Sequence, residues 1–525
     1  MRCNTVCDPC GSLKGNDGRG WRQFIALVIA VVVLAPWLSA CGSTDEELGT
    51  VGYVEGFLGG VAADEPHAVQ TGRDVLSAGG SAVDAVVAMY FVSSVTLPSA
   101  ASLGGGGVCL GFDRTSGEVQ ALEFFARRPM LISADADRPS AVPGNLRGFF
   151  ALHARYGRLR WSQLVSPAEN MARFGFRVSR ALARDIGQVE RALAAEPETR
   201  RVFSTPDARK LVAEGDFLRQ VELAAVLARV RAEGAGAFYT GSLARQFAEA
   251  AEAAGGSVST DDLHGYAPTW RETIAVPMGD QTAHFPPSPA VGGAIAAEMW
   301  TSLLKEGGLK RASAEERIRV VADLGFDTAD KRLDLLAQEQ GASMASQPEN
   351  PSAATFVAVD REGSAAACAV TLNSLFGTGR VAGGTGIVLA AAPGPGGRGA
   401  TALGPMLIVN QNVNEFFFAG AASGGVAAPT ALVSVAARAV LGDEPLAEAL
   451  VAQRVLGGLM PDVVHHEGGA DRIEAVFGGE GLRLAATPAL GQVNAVHCAQ
   501  GIPPHPESCV AGSDPRGYGL AVTAD

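Results

Sequence analysis

The sequence predicts an α+β fold in one compact body. Residues 141 to about 255 carry apolar side chains at helical spacing, whereas the final third alternates short strand patterns with glycine-rich turns. The 525 residues are 47% hydrophobic and 18% charged, which suffices for a large core. No internal repeat or interdomain linker interrupts the chain after residue 61, so one body explains the pattern better than separate domains.

The first 41 residues have the features of an export signal. Arg19 and Arg22 precede "FIALVIAVVVLAPWL", which is too short for a comfortable membrane span but suits a signal peptide. The run ends at "LSAC" and is followed by "GSTDE", which resembles a bacterial lipobox. Cys41 would then be lipidated, residues 42–60 would form a flexible tether, and the protein would be anchored in the periplasm, on the outer membrane. A plain signal anchor is the alternative.

The cysteines fall into three groups. Three near the start lie before the export signal, so their iron–sulfur-like spacing is discounted. Cys109 and Cys368 lie in apolar strand patterns, which predicts buried thiols. Cys498 and Cys509 flank a proline-rich loop, and export to an oxidising compartment makes a disulfide between them plausible.

Charge and motifs exclude several classes of function. The net charge of −13 makes nucleic acid and an anionic membrane surface unexpected partners, so the lipid anchor is the only predicted membrane contact. The chain after Cys41 has no H-E-x-x-H, P-loop or G-x-S-x-G motif. His465 and His466 are adjacent, and adjacent side chains diverge on a strand. No metal or cofactor is therefore predicted.

Local signals place the individual elements. A helix is predicted from His67 to Ala78, ended by two glycines, and a second, fully buried helix from Ser81. "GGGGVCLGF" reads as a turn into a strand, and a later helix is predicted near Pro429 to Leu441.

Six stretches, in chain order, carry a resemblance to a known family. They are "AADEPHAVQTGRDVLSAGGSAVDAVVA", "SLGGGGVCLGFD", "VPGNLRGFFALHARYGRLRWSQLVSPA", "FYTGSLARQFAEAAEAAGGSVSTDDLHGYAPTWRE", "VAVDREGSAAACAVTLNSLFGTGRVAGGTGIVL" and "ASGG". Together they resemble the γ-glutamyltransferase family and cover most of residues 60–460. The resemblance implies a four-layer αββα sandwich of the N-terminal-nucleophile hydrolase type. Residues 61–352 would correspond to the large subunit and residues 353–525 to the small one.

The resemblance also implies a mechanism. In the family, a threonine is released at a new N-terminus by self-cleavage and attacks a γ-glutamyl amide. Thr371 and Asn373 match residues that line the pocket, and Gly424 and Gly425, preceded by Ser423, match the glycine pair that stabilises the oxyanion. Thr401 matches one hydroxyl of a serine pair near that site.

Other positions depart from the family pattern. Ala353 occupies the nucleophile position, and Thr355 lies two residues later, which displaces its hydroxyl by roughly 7 Å along a strand. Ser352 lies one residue early and would point to the opposite face.

The substrate clamps are also replaced. Phe125 stands where the carboxylate-binding arginine belongs, with Arg127 and Arg128 as possible substitutes. Ala392 and Pro395 stand at the positions that bind the substrate amine.

Three hypotheses remain open. The first is a divergent γ-glutamyl or related amide hydrolase or transferase, cleaved before Thr355 and acting on a small, less charged substrate outside the cytoplasm. The second is an inactive, uncleaved family member that serves as a periplasmic binding or envelope lipoprotein. The third, weaker one is an enzyme that uses Ser352.

Overall fold

The computed structural model describes residues 56–332 (except 306, 308, 310 and 311), 334, 353–394 and 402–524. These residues belong to one compact unit, Gly56–Asp525. Four residues singled out above lie outside the described part: Cys41, Ser352, Pro395 and Thr401. The tether residues up to Glu55 also lie outside it. Within the described part, no helix is both long and apolar enough to cross a membrane.

Two large antiparallel sheets form the centre of the molecule. The first contains seven strands, in the spatial order β20 (Leu520–Ala524), β1 (Gly59–Ala63), β9 (Ala353–Asp360), β10 (Ala365–Thr371), β2 (Gly106–Asp113), β3 (Glu118–Phe124) and β6 (Thr269–Glu272). The second contains six, in the order β19 (Cys509–Ser513), β18 (Gln492–Ile502), β14 (Glu415–Ser423), β13 (Met406–Asn410), β8 (Gln281–Phe285) and β7 (Ile274–Met278).

The two sheets pack face to face through one set of alternating apolar side chains, while the other set faces the helices. On β9, Val357 and Val359 belong to the core between the sheets, while Phe356 and Ala358 belong to the core under the helices. Val496 of β18 and Ala419 of β14 are members of the same inter-sheet core. The side-chain period of two therefore gives each central strand two buried faces.

Helices cover the outer face of each sheet, so the predicted four-layer αββα sandwich is confirmed. Those in the core on the first sheet are α1 (Pro66–Ser77), α2 (Ala82–Thr96), α3 (Pro98–Ala101), α4 (Asn145–Tyr156), α5 (Trp161–Phe174), α6 (Arg180–Ala195), α7 (Pro197–Val202), α8 (Val221–Glu233), α9 (Gly236–Tyr239), α10 (Gly241–Ala253) and α11 (Thr260–Gly265). Those on the second are α12 (Val291–Lys305), α14 (Ala428–Ala436) and α15 (Leu446–Val451).

Smaller elements complete the fold. Helices α13 (Ala314–Asp327) and α16 (Ala470–Phe477) pack on a three-stranded sheet of β15 (Val455–Gly457), β16 (Val463–His466) and β17 (Arg483–Ala486). Two short ribbons pair β4 (Phe176–Arg177) with β5 (Phe217–Leu218), and β11 (Val381–Ala382) with β12 (Ile387–Val388).

The predicted helices form with the expected ends. Helix α1 begins at Pro66 and ends at Ser77, within one residue of the prediction. Ser81 caps α2 by accepting a hydrogen bond from the backbone N–H of Asp84, and every residue of α2 is buried. The helix predicted near Pro429 is α14, which continues as a π-helical turn over Ala437–Leu441.

Two disulfides are present in the described part. Cys498 and Cys509 are joined, as the sequence predicted. The prediction of free thiols at Cys109 and Cys368 is wrong, because these residues form the second disulfide. Strands β2 and β10 pair in a register that sets the two cysteines directly opposite each other.

Candidate functional site

The site implied by the sequence lies where β9 begins and β10 ends, beside the second sheet. Ala353 is the first residue of β9, and its partner on β10 is Thr371. Ala353 packs against an apolar cluster, defined here as the Phe125 cluster, of Val108, Phe125, Ala290, Ala369 and Leu403. Ala353 and Phe125, the positions that the resemblance matches to the family nucleophile and to its carboxylate-binding arginine, thus lie in one apolar neighbourhood.

Thr355 lies further inside, between the two sheets. Its side chain is fully buried, and its Oγ1 donates a hydrogen bond of 2.9 Å to Asp64 Oδ2. The backbone N–H of Thr355 donates to the same oxygen at 2.7 Å. Asn494 of β18 donates from Nδ2 to Thr355 Oγ1 at 2.7 Å and to Asp64 Oδ1 at 2.9 Å. These three residues form a polar node that links the first sheet to the second.

Burial dominates the electrostatics of this node. It raises the pKa of Asp64 to about 6, although the hydrogen bonds from Thr355 and Asn494 oppose the shift. Sequence reasoning missed both partners of Thr355. They lie 291 and 139 residues away along the chain, and neither belongs to a local motif.

The loop after β10 holds Asn373 in a strained conformation beside Thr371. Asn373 has a φ of +66°, and its backbone N–H donates to Thr371 Oγ1 at 3.0 Å. Its Nδ2 donates to the carbonyl oxygen of Ala391 at 2.8 Å. Both side chains are buried, and Asn373 Oδ1 has no hydrogen-bond partner among the residues that the structure describes. A buried carbonyl oxygen in this state is able to accept a hydrogen bond from a ligand.

The glycine pair follows the end of β14. Gly424 has a φ of +123° and Gly425 a φ of +59°, and Gly425 opens the short turn that leads into α14. A Cβ on Gly424 would lie 2.5 Å from the Cα of Gly491, so the packing accepts only glycine there. The preceding Ser423 is buried, and no residue of the described part makes a hydrogen bond with its Oγ.

The register of the sheets places the glycine pair near Ala353. Thr355 contacts Asn494, and Asn494 is two residues from Gln492, the strand partner of Ser423. Val359 of β9 and Val496 of β18 both lie beside Gly60, so they mark a second level at which the two strands are close. Ala353 is two residues from Thr355 on the side away from Val359, just as Gln492 is two residues from Asn494 on the side away from Val496. Ala353 and Ser423 are therefore at about the same level of the stacked sheets.

Comparison with known proteins decides the family. The sequence model that describes the gamma-glutamyltranspeptidase family matches residues 68–324 and 304–524. The chain belongs to the γ-glutamyltranspeptidase family.

Individual relatives agree with this assignment. The glutathione hydrolase proenzyme of Escherichia coli K12 is 26% identical, over 88% of this chain and 90% of the relative. Glutathione hydrolase 3 of Arabidopsis thaliana is also 26% identical, over 80% and 76%. The solved structure of cephalosporin acylase from Bacillus halodurans superposes with a TM-score of 0.71 at 21% identity, over 88% of this chain and 95% of that one. This last likeness shows the fold alone.

Arg127 and Arg128 are the two possible substitutes for the arginine of the family. Among the described residues, both donate to backbone carbonyl oxygens rather than to a carboxylate side chain. Arg127 is exposed, donates from Nη2 to the carbonyl oxygen of Ala267 and lies 4.8 Å above the Tyr266 ring. Arg128 is exposed and donates to the carbonyl oxygen of Pro393 at 3.2 Å.

The segment that the resemblance matches to the family's amine-binding residues carries no charged side chain in its described part, residues 391–394. Ala392 is half-buried, and its backbone N–H donates to Pro139. No group of three histidine, cysteine, aspartate or glutamate side chains within the described residues is arranged to hold a metal ion.

Proposed function

We propose that this member of the γ-glutamyltranspeptidase family has lost γ-glutamyl transfer and remains a single, uncleaved chain. It acts outside the cytoplasm as a lipid-anchored binding protein. The observation that carries the proposal is the contact of Ala353 with the Phe125 cluster. An alanine has no hydroxyl to attack a carbonyl, and an apolar cluster does not offer the charge that a glutamyl carboxylate needs.

The surroundings of Thr355 support a structural role rather than a displaced nucleophile. Its Oγ is buried and hydrogen-bonded to two side chains, and its strand is paired on both sides, with Ala369 of β10 opposite Thr355 and Ala63 of β1 opposite the next residue. Release of Thr355 as an N-terminus would require the start of β9 to leave the sheet.

The residues that remain favour a neutral ligand. Asn373 Oδ1 can accept a hydrogen bond from an amide N–H, and the backbone N–H groups of the glycine pair are of the kind that bind an amide carbonyl. Thr371, which accepts from the backbone of Asn373, keeps a hydroxyl beside them. The arginine and amine ligands of the family are replaced by Phe125 and Ala392. We infer that the ligand is a small amide without the zwitterionic end of glutamate.

The proposed location rests on two features. The disulfides Cys109–Cys368 and Cys498–Cys509 fit an oxidising compartment. The "LSAC" stretch supplies Cys41 as the lipidated residue. Together they favour the periplasmic side of the outer membrane.

The test is the intact mass of the mature chain after long incubation, measured under reducing conditions. One unchanged mass and no release of p-nitroaniline from γ-glutamyl-p-nitroanilide are expected. A thermal-shift series is expected to show stabilisation by neutral acyl amides and none by glutathione. A fragment that begins at Thr355 or Ser352, or turnover of the γ-glutamyl substrate, would overturn the proposal.

A further inference from the structure

We propose that Phe174, Phe217 and Val221 form a second membrane contact, which binds an anionic phospholipid surface. These three residues are called the Phe174 patch. The inference goes beyond the ligand proposed above and does not depend on it. It adds a direct protein–lipid contact to the anchor at Cys41, although the whole-chain charge of −13 makes an anionic surface an unexpected partner.

The patch brings together exposed apolar side chains from three segments. Phe174, the last residue of α5, is 68% exposed, Phe217 of β5 is 44% exposed and Val221, the first residue of α8, is 56% exposed. Phe217 lies over Gly175, where a Cβ would be 2.3 Å from its Cζ. The backbone N–H of Gln220 donates to Ala172, which holds the start of α8 beside the end of α5.

Arginines surround this apolar surface. Arg177 is the strand partner of Phe217, so the two side chains share one face of the ribbon. Arg219 lies two residues after Phe217, which places it on the same side of an extended segment. Both are exposed. Within the described residues the hydrogen bond of Arg177 goes to the carbonyl oxygen of Gly215, and Arg219 has no hydrogen-bond partner. Arg177 also interacts electrostatically with Asp216, a carboxylate that Lys210 pairs.

These two guanidinium groups are therefore available to phosphate oxygens. Two further arginines at the margin are paired, Arg173 with Glu169 and Arg180 with Glu214. Exposed aromatic side chains ringed by arginine are the combination that inserts into a lipid interface, since the rings enter the acyl boundary while the guanidinium groups meet the headgroups.

The lipid anchor predicted at Cys41 favours a lipid surface over an acidic protein as the partner, because the tether leads into β1 and the far end of β1 lies beside the ribbon that carries Phe217. Strand β1 ends at Ala63, and the His67 ring that follows lies 5.8 Å from Phe176, within the β4–β5 ribbon that carries Phe217. The roughly fifteen residues from Cys41 to Gly56 have a contour length of at most about 50 Å. An anchor at Cys41 would thus hold the patch within reach of the same bilayer.

The most exposed apolar residues elsewhere do not fit this partner. Met130 and Leu131 are 72% and 82% exposed. However, Asp262 accepts a hydrogen bond from the backbone of Met130, and Asp135 and Asp137 follow in the same loop. Negative charge around an apolar loop opposes contact with anionic lipid. This loop therefore supplies a matched control.

The test uses the mature chain with Cys41→Ser, so that no lipid contributes, and sedimentation with sucrose-loaded vesicles. The chain is expected to bind vesicles that contain phosphatidylglycerol at low salt, and to bind pure phosphatidylcholine weakly. F174S/F217S is expected to lower the partition coefficient at least about tenfold on phosphatidylglycerol. R177E/R219E is expected to lower it similarly, and to remove the dependence on salt.

The control variant M130S/L131S is expected to bind like the parent. All the altered side chains are exposed, so thermal unfolding should stay unchanged and shows that each variant is folded. The proposal is overturned if the parent does not sediment with phosphatidylglycerol vesicles, a result that would point to an acidic protein as the partner. It is equally overturned if M130S/L131S abolishes binding while F174S/F217S does not.

Discussion

At the scale of single residues, the Thr355 hydroxyl links the two sheets through Asp64 and Asn494. Thr355→Val keeps the shape of the side chain but leaves both partners short of one hydrogen bond. We expect a loss of about 1–3 kcal/mol in the free energy of unfolding, measured by urea denaturation. Thr355→Ser, which keeps the hydroxyl, should lose less. A Thr355→Val variant as stable as the parent would show that the polar node does not stabilise the fold.

Asp64 and Asp360 predict a dependence of stability on pH. Burial raises the pKa of each carboxyl to about 6, from 3.8 in the unfolded chain. Between these values the folded state binds more protons, so the contribution of these groups is greatest below pH 4 and is lost as the pH rises through 6. Each group can account for as much as about 3 kcal/mol.

The measurement is urea unfolding of the parent and of Asp64→Asn across pH 4 to 7.5. Because asparagine does not titrate, the variant should lose less stability than the parent as the pH rises. Equal pH slopes for the two proteins would contradict the raised pKa of Asp64. Comparison of slopes, rather than of absolute stabilities, separates the titration from the altered hydrogen bonds of the variant.

At the scale of elements, the turn from β14 into α14 depends on Gly424. A side chain there would combine a strained φ of +123° with the close approach of Gly491. Gly424→Ala is expected to cost at least about 2 kcal/mol of unfolding free energy. Gly215→Ala is the matched control, since Gly215 has a φ of +79° and nothing within 4 Å of its Cβ position. Equal costs in thermal unfolding would show that backbone strain alone is responsible.

The disulfide Cys109–Cys368 joins β2 to β10 across 259 residues of chain. If a protease site is inserted near residue 345 and cleaved, the two halves should migrate together without reductant and separate with it. The Cys109→Ala/Cys368→Ala variant should separate in both conditions, because Cys498 and Cys509 lie in the same half. Separation of the parent halves in non-reducing denaturing gels would contradict the disulfide.

The accuracy of sequence-based prediction also differs among elements. Helices α1 and α2 were predicted to within a residue or so, since their caps and apolar spacing are local signals. The Cys109–Cys368 bond was missed because it depends on the register of β2 against β10, which no local pattern reveals. The Phe125 cluster and the partners of Thr355 likewise arise from tertiary contacts. The resemblance pointed to Ala353 and Phe125 as departures from the family pattern, but it did not predict the side chains that pack around them.

At the scale of the whole molecule, the two predicted regions interleave. The first sheet takes β1, β2, β3 and β6 from residues 61–352, and β9, β10 and β20 from residues 353–525. Strands β9 and β10 of the second region thus lie between β1 and β2 of the first region and complete its core. An uncleaved chain, as proposed here, is compatible with this arrangement, because the strands of the two regions are joined by pairing and by a disulfide.

The proposed attachment to the membrane is also tested on the whole molecule. When the full chain is produced in a bacterium with lipoprotein export, a fatty-acid label should be incorporated into the parent and not into Cys41→Ser. The parent should remain with membranes at high salt, held by its acyl chains. Cys41→Ser should leave membranes at high salt, with a remainder bound at low salt through the Phe174 patch.

Adding F174S/F217S to Cys41→Ser should abolish that remainder. If Cys41→Ser instead stays with membranes at high salt and the signal sequence is not removed, the apolar run before Leu38 acts as a signal anchor. That outcome would reject the lipid anchor and leave the vesicle test of the Phe174 patch intact. The two attachments can therefore be separated, because one depends on a covalent acyl chain and the other on arginine and aromatic side chains that salt and substitution weaken.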